Sequence, residues 1–301
     1  MLIIQQQIWN HLSQQFLANK NKALLFAASG AAGGGIGSIL GEAIMADVQR
    51  NLFSSWVTLV IRVGIWFGLV GASISTTLLL GYFWYLNRQI RLKKAVLLGI
   101  LPGFIAGIIS GAIAQGIYSL IGPTELLRVI CWGIAGGLLG LGLSFKIPNL
   151  GKWLGFFGGL IGGILGGCLF ILFTYLIGEV VGRFWGLIAI GFFIGLMIIL
   201  VEAAFREAWV IIHWSPTEKK TLSLGQEPII LGSDNHAEIY LSKNQGYFPI
   251  TAKLYTQNKE IILQFNPEYA NVKQMSKTSQ VLKNGDKRQF GNLIIEVKTS
   301  P

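Results

Sequence analysis

Residues 151–167 read GKWLGFFGGLIGGILGG, and no other stretch narrows the possible folds as far. Gly155, Gly159, Gly163 and Gly167 fall four apart, and so do Gly158, Gly162 and Gly166. Residues four apart share a helix face, so a helix here carries two adjacent stripes without side chains. In water such a helix is disfavoured, because each Gly costs about 1 kcal/mol against Ala. In lipid, bare backbone lets a second helix approach closely, and packing recovers the cost. The run therefore predicts a membrane-buried helix built to touch its neighbours.

The charge distribution points the same way. Of 301 residues only 13% are charged, against about 25% in soluble domains. Residues 1–214 hold 13 Lys/Arg and 6 Asp/Glu, whereas residues 215–301 hold 11 and 8. This predicts a membrane part followed by a small soluble domain. Most of the formal net charge of +10 lies among the hydrophobic segments. There it sets topology and meets anionic lipid, so membrane lipid is the expected partner and nucleic acid is not. Cys131 and Cys168 sit in apolar runs and read as small buried hydrophobes, with no metal-ligand spacing around them. Residues 1–19 lack the basic start and continuous apolar core of a cleavable signal peptide.

Apolar stretches of spanning length occur at 23–43, 57–84, 95–121, 126–145, 153–177 and 183–205. The first, third and fifth share a lysine, an apolar start and spaced glycines. These are Lys22 with Gly33, Gly37 and Gly41; Lys94 with Gly103, Gly107 and Gly111; and Lys152 with the run above. The second, fourth and sixth share an arginine followed by Trp and Gly: Arg62, Trp66, Gly68; Arg128, Trp132, Gly133; Arg183, Trp185, Gly186. The pattern predicts three copies of one Gly-zipper helical hairpin, at about 22–84, 94–145 and 152–205, within a six-helix domain over 21–206. Pro102 either kinks the third helix or sits harmlessly in its first turns. Glycine stripes pack helices within one chain or between chains, so a homo-oligomer stays open.

Lys20, Lys22, Arg88, Arg91, Lys93, Lys94, Lys146, Lys152 and Arg206 lie on one set of helix ends; Arg50, Arg62, Arg128 and Arg183 lie on the other, where Glu42, Asp47, Glu125 and Glu179 balance them. The bias predicts an inner-membrane protein with both termini cytoplasmic. Residues 1–20 read as an interfacial amphipathic helix, with Ile4, Ile8, Leu12 and Phe16 recurring every four residues. Residues 207–220 read as a helical extension and linker. Tyr82, Trp84 and Tyr85 read as an interface belt.

From 221 to 301 short strands divided by turn residues predict an antiparallel sandwich. The candidates are 228–231, 238–241, 250–255, 260–265, 279–282 and 293–297. Pro228-Ile-Ile-Leu-Gly232-Ser233, Ala237-Glu-Ile-Tyr-Leu241, Ala252-Lys-Leu254, Leu282-Lys-Asn284-Gly285-Asp286 and Phe290-Gly291 through Val297 follow one another in order. In this order the tail resembles a forkhead-associated (FHA) domain. That resemblance implies a β-sandwich that recognises a protein, in this family through phosphothreonine. The family's phosphate-binding arginine falls at Ser233, and Pro249-Ile-Thr-Ala occupies its Ser-Arg-x-His region. Serine supplies no guanidinium for a phosphate dianion. The candidate ligand-binding residues are therefore Ser233, Lys243, Asn244, Lys253 and Lys273.

No catalytic constellation emerges, and no cofactor or metal is expected. His11, His213 and His236 lie in different regions, and the Gly-rich stretch 30–37 has no preceding strand to make it a dinucleotide loop. Arg62, Arg128 and Arg183 with Glu42, Glu125 and Glu179 admit two readings: a ring around a polar path, or ion pairs closing each hairpin. Their place near span ends favours the second. Together these features predict a non-enzymatic membrane adaptor displaying an FHA-like domain, in bacterial signalling or envelope assembly. The alternative is a channel or transporter regulated by the tail.

Overall fold

The computed structural model describes residues 2–48, 56–88, 92–215 and 218–300, without the side chains of 2–18, 44–48 and 56. The chain divides into two compact units. One takes residues 1–82 and 91–204; the other takes 83–90 and 205–301.

The first unit is helical: α1 (Leu2–Val48), α2 (Trp56–Tyr85), α3 (Leu92–Ile121), α4 (Glu125–Ser144), α5 (Lys152–Ile177) and α6 (Glu179–Phe205). Among the described residues all six are long and apolar enough to cross a membrane. The helical backbone of residues 2–20 continues into the first span without a break. The side chains that suggested an interfacial face there lie outside the described residues. Pro102 lies within α3, and the helix continues through it.

On α5 the buried residues are Phe170 and the seven glycines of the two stripes. One stripe faces α4: a Cβ on Gly159 would meet the Gly136 carbonyl, and one on Gly155 the Gly140 carbonyl. The other faces α6: a Cβ on Gly158 would stand 2.7 Å from Ile198 Cα, and one on Gly162 2.6 Å from Ile194 Cα. The same approach recurs elsewhere. Gly103, Gly107 and Gly111 meet Gly71, Phe67 and Gly64 of α2, and Gly30 and Gly34 meet Gly191 and Leu187 of α6. With Gly37 of α1 against Val70 of α2 and Gly142 of α4 against Pro102 of α3, helix neighbours run from α1 to α6 in order, and α6 returns to α1.

Gly33, Gly37 and Gly41 do not match Gly103, Gly107 and Gly111 in the partner they face. They pack on Ile74, Val70 and Trp66, within their own hairpin. Gly103, Gly107 and Gly111, and Gly155, Gly159 and Gly163, instead face the helix before them in the chain. Spacing by four fixes the face of a helix but not the neighbour that the face meets.

The inner side of the ring is filled by Val70 and Ile74 of α2, Ala135 and Leu139 of α4, and Ile190 and Ile194 of α6. The void left among them measures about 10 Å³, room for one water at most. Toward one end Lys22 Nζ lies 2.8 Å from Glu202 Oε2, and both side chains are almost fully buried. This pair joins the first spanning helix to the last.

The second unit is a two-sheet β structure. Its strands are β1 (Ala208–His213), β2 (Lys219–Leu224), β3 (Ile229–Gly232), β4 (Ile239–Tyr240), β5 (Ala252–Gln257), β6 (Glu260–Phe265), β7 (Ser279–Leu282), β8 (Lys287–Phe290) and β9 (Leu293–Thr299). A short helix, α7 (Pro267–Val272), interrupts them, with Asn266 accepting from Glu268 N as its N-cap. One sheet has the order β2-β1-β9-β8 and the other β4-β3-β5-β6-β7. All pairings are antiparallel except β3–β4, so the sandwich is mixed there. Leu231, Leu254 and Leu263 of one sheet and Val210, Ile295 and Val297 of the other are fully buried. Phe265 and Phe290 bring the two sheets together, their ring centroids 6.2 Å apart. Burying each such side chain stabilises by about 1.5–3 kcal/mol.

Three features differ from expectation. Residues 208–213 are a strand rather than a helical extension, with Ala208, Val210 and Ile212 buried in alternation and paired to β9 and β2. Period two, not four, governs this segment. Cys131 is buried as expected, but Cys168 is exposed on α5, off its glycine faces. Of the expected interface belt only Trp84 is exposed; Tyr82 is buried. Tyr85 belongs with the second unit, where its hydroxyl accepts from Thr221 N at 2.7 Å.

Candidate functional site

The helical unit contains a cavity of about 1140 Å³ to which all six helices contribute. Glu42, Arg62, Glu125, Arg128, Glu179 and Arg183 all line it. Six residues far apart in sequence therefore converge. Glu125 opens α4 one residue after the N-cap Thr124, whose hydroxyl accepts from Leu127 N at 3.3 Å. A carboxylate in the first turn is favoured by the exposed N–H groups there. Glu179 and Arg183 sit in the first turns of α6, Arg62 near the start of α2, and Glu42 near the end of α1.

Two ion pairs form. Arg128 Nη1 lies 3.0 Å from Glu125 Oε2, within α4, and Arg183 Nε lies 3.4 Å from Glu42 Oε1, joining α6 to α1. All four side chains are more than a third exposed, so each pair contributes about 0–1 kcal/mol. Neither Arg62 nor Glu179 makes an ion pair with a described residue. Of the pairs expected to close each hairpin, Arg128 with Glu125 is present, whereas Arg183 pairs with Glu42 of a different hairpin.

Aromatic rings stand among the other lining residues. Trp66, Phe67, Trp132 and Phe170 all line the cavity. Phe67 stacks on Trp132 at 4.9 Å, and Trp132 lies 6.1 Å from Trp66 and 5.5 Å from Phe170. Phe67 and Trp132 also line the small apolar void, so these rings separate the cavity from the filled centre. Leu59, Val63, Ile171 and Leu172 add apolar surface, and Gln115, Tyr118 and Thr174 add polar groups. The aromatic floor escaped the sequence reading as a site, although its signal was present. Trp66 and Trp132 follow Arg62 and Arg128 by one helical turn. In the third hairpin Trp185 follows Arg183 by only two residues and is exposed. Phe170 takes the corresponding place, packed against Gly186.

In the β unit the candidate loops gather at one end. Ser233, after β3, is not free to meet a ligand: its Oγ donates to the Tyr247 carbonyl at 3.1 Å and its N–H to the Phe248 carbonyl at 2.9 Å. Lys243 and Asn244 form an exposed 3-10 turn, and Lys273 caps α7. Tyr247 stacks on Tyr269 at 6.1 Å and so ties the first loop to α7. Burial raises both tyrosine hydroxyls above their usual range. Lys253 stands apart, outward on β5 opposite Ile230 and Gln264.

The turn after β3 carries Asp234, whose carboxylate accepts from His236 N at 2.6 Å and contacts its Nδ1 at 2.7 Å. These bonds hold Asp234 below the ordinary carboxylate range. Arg88, from the turn after α2, belongs to this unit: it donates to the His236 carbonyl and lies 3.3 Å from Glu238, with both side chains about nine-tenths buried. Glu238 also accepts from Ile230 N at 2.9 Å. Sequence reading saw Arg88 only as a topology signal, because its partners lie some 150 residues away. Among the described residues no group of His, Cys, Asp and Glu could hold a metal ion.

No protein-family model matches the chain, and no curated protein matches it. One similar solved structure comes from a structural and functional analysis of phosphothreonine-dependent FHA domain interactions. It is 19% identical, with a TM-score of 0.25, and the match covers 31% of this chain and 98% of that chain.

Proposed function

We propose that the protein is an integral membrane adaptor, whose six-helix unit anchors an FHA-like module that recruits a partner protein. The observation that carries this reading is the pairing of a helical unit filled at its centre with a folded β unit bearing exposed Lys243, Asn244 and Lys273 on clustered loops. In this reading the three hairpins are copies of one glycine-packed unit. The basic helix ends and both termini face the cytoplasm of a bacterial cell, and the protein is not an enzyme. Phosphothreonine is disfavoured as the recognised group in this reading, because Ser233 stands at the family's arginine position and is engaged within the fold.

The test is site-specific photo-cross-linking in cells on the full chain. A cross-linker at Asn244 is expected to capture a discrete partner. One at Lys259, in the β5–β6 turn, is expected to capture none. Equal capture from both positions, or none from either, overturns the adaptor reading.

A second reading, transport by the helical unit, has the large charged cavity in its favour. The filled centre opposes it. Sealed proteoliposomes are expected; solute flux that changes with Arg128→Ala would favour transport.

A further inference from the structure

The cavity of the helical unit has a charge pattern that the adaptor role does not use. Its three arginines and three glutamates balance overall. Two of each sign are taken up in ion pairs, Arg128 with Glu125 and Arg183 with Glu42. What remains is one guanidinium, Arg62, and one carboxylate, Glu179, with no ion-pair partner among the described residues. Both line the same space. Charges beside a membrane span are costly unless paired or hydrated, and such a residue is a functional-site candidate by default. The rest of the lining is of another kind, an aromatic floor with aliphatic side chains around it. At about 1140 Å³ the space is large enough for a lipid-sized or drug-sized molecule. The rings and the filled layer beyond them make it a pocket closed at its inner end rather than a path.

We propose that this cavity binds a zwitterionic amphiphile, its anionic group on Arg62, its ammonium group on Glu179 and its apolar body on Trp66, Phe67, Trp132 and Phe170. A purely anionic ligand satisfies Arg62 and leaves Glu179 repelling it. A purely cationic one does the reverse. Only a head carrying both signs meets both residual charges. An apolar body suits the rings, which offer flat surface and few donors. The same chemistry is presented by a bilayer lipid with a phosphoethanolamine head and by a soluble amphiphile of like structure.

Both cysteines line the cavity, Cys168 exposed and Cys131 buried, so Cys168 supplies the probe in a Cys131→Ser background. The full-length protein is placed in nanodiscs of phosphatidylglycerol alone, and alkylation of Cys168 by a water-soluble maleimide is timed. Palmitoyl-lysophosphatidylethanolamine is expected to slow labelling at least tenfold. Arg62→Gln and Glu179→Gln are each expected to raise the half-protecting concentration about tenfold, the worth of one charged hydrogen bond, and Arg62→Lys to restore most of it. Nanodiscs containing diacyl phosphatidylethanolamine distinguish the sources: protection there assigns the ligand to the bilayer, and protection by the added lysolipid alone assigns it to a soluble amphiphile. Unchanged labelling overturns the proposal. So does equal protection by lysophosphatidylglycerol, which removes the need for Glu179. Equal protection by free phosphoethanolamine overturns the role given to the rings.

Discussion

The ion pair between Lys22 and Glu202 offers the sharpest test of how the helical unit is closed. The two residues are separated by 180 positions, meet at 2.8 Å, and retain only 6% and 4% of side-chain exposure. Replacing Lys22 with Met keeps the stem volume and removes the charge, leaving the Glu202 carboxylate buried beside it. Breaking a buried pair from one side costs about 3–5 kcal/mol, whereas replacing both partners with apolar groups is often nearly neutral. The expected loss for Lys22→Met is about 3 kcal/mol. For a unit of this size that lowers the melting midpoint by roughly 6–12 °C. Lys22→Met/Glu202→Met is expected to recover most of the loss. The assay follows the thermal exposure of Cys131, buried in the same unit, with a thiol-reactive dye in a Cys168→Ser background. The cycle gives the coupling directly. Two results would refute the reasoning: a melting point unmoved by Lys22→Met, or a double variant that loses the sum of the two single losses.

Other outcomes follow from the same structure. Gly159→Leu is expected to destabilise the helical unit by about 1–3 kcal/mol or more, because its Cβ overlaps the Gly136 carbonyl. Gly116→Ala, where a Cβ meets nothing within 4 Å, is expected to be neutral or to gain about 0.4–1 kcal/mol; both are read by the same dye assay. Arg88→Ala leaves Glu238 buried without its cation and is expected to make the β unit sensitive to limited proteolysis in the full-length protein. Lys298, followed by Lys287 and His213, holds Glu296 below its ordinary value of 4.5. A depressed carboxyl contributes stability above the unfolded-state value and loses it as pH falls through the folded one. Glu296→Gln is therefore expected to lower stability at neutral pH and to flatten the acid limb of the pH–stability profile below about pH 4.5, as read by unfolding midpoints across pH.

Much of the fold could be read from local pattern. The six spans follow from apolar length, and β6 and β7 occupy the residues that their alternation and flanking turns indicated. The seven glycines of α5 are buried because a residue without a side chain permits close approach in any membrane bundle. What failed was information that only the assembled chain contains. Trp209-Val-Ile-Ile212 reads equally as the end of a helix or as a strand, and its pairing with β9, more than 80 residues on, decides for the strand. Gly33 and Gly103 look alike in sequence but face different neighbours. The Arg/Glu set was visible as a recurring pattern, and the cavity gathers all six residues. The pairing of Arg183 with Glu42, the aromatic floor and the role of Arg88 each depend on contacts across the fold, where periodicity carries no signal.

Closure of the helices into a ring is tested most directly by one cross-link. A Cβ on Gly35 of α1 would stand 3.5 Å from Ile188 Cγ1 of α6, an atom that the Sγ of a cysteine at 188 can replace, so thiols at the two positions are brought close together. With Cys131 and Cys168 replaced by Ser, Gly35→Cys/Ile188→Cys in native membranes is expected to form a disulfide within one chain on mild oxidation. Absence of the bond, or its formation only between two chains, would contradict a ring in which the last helix returns to the first.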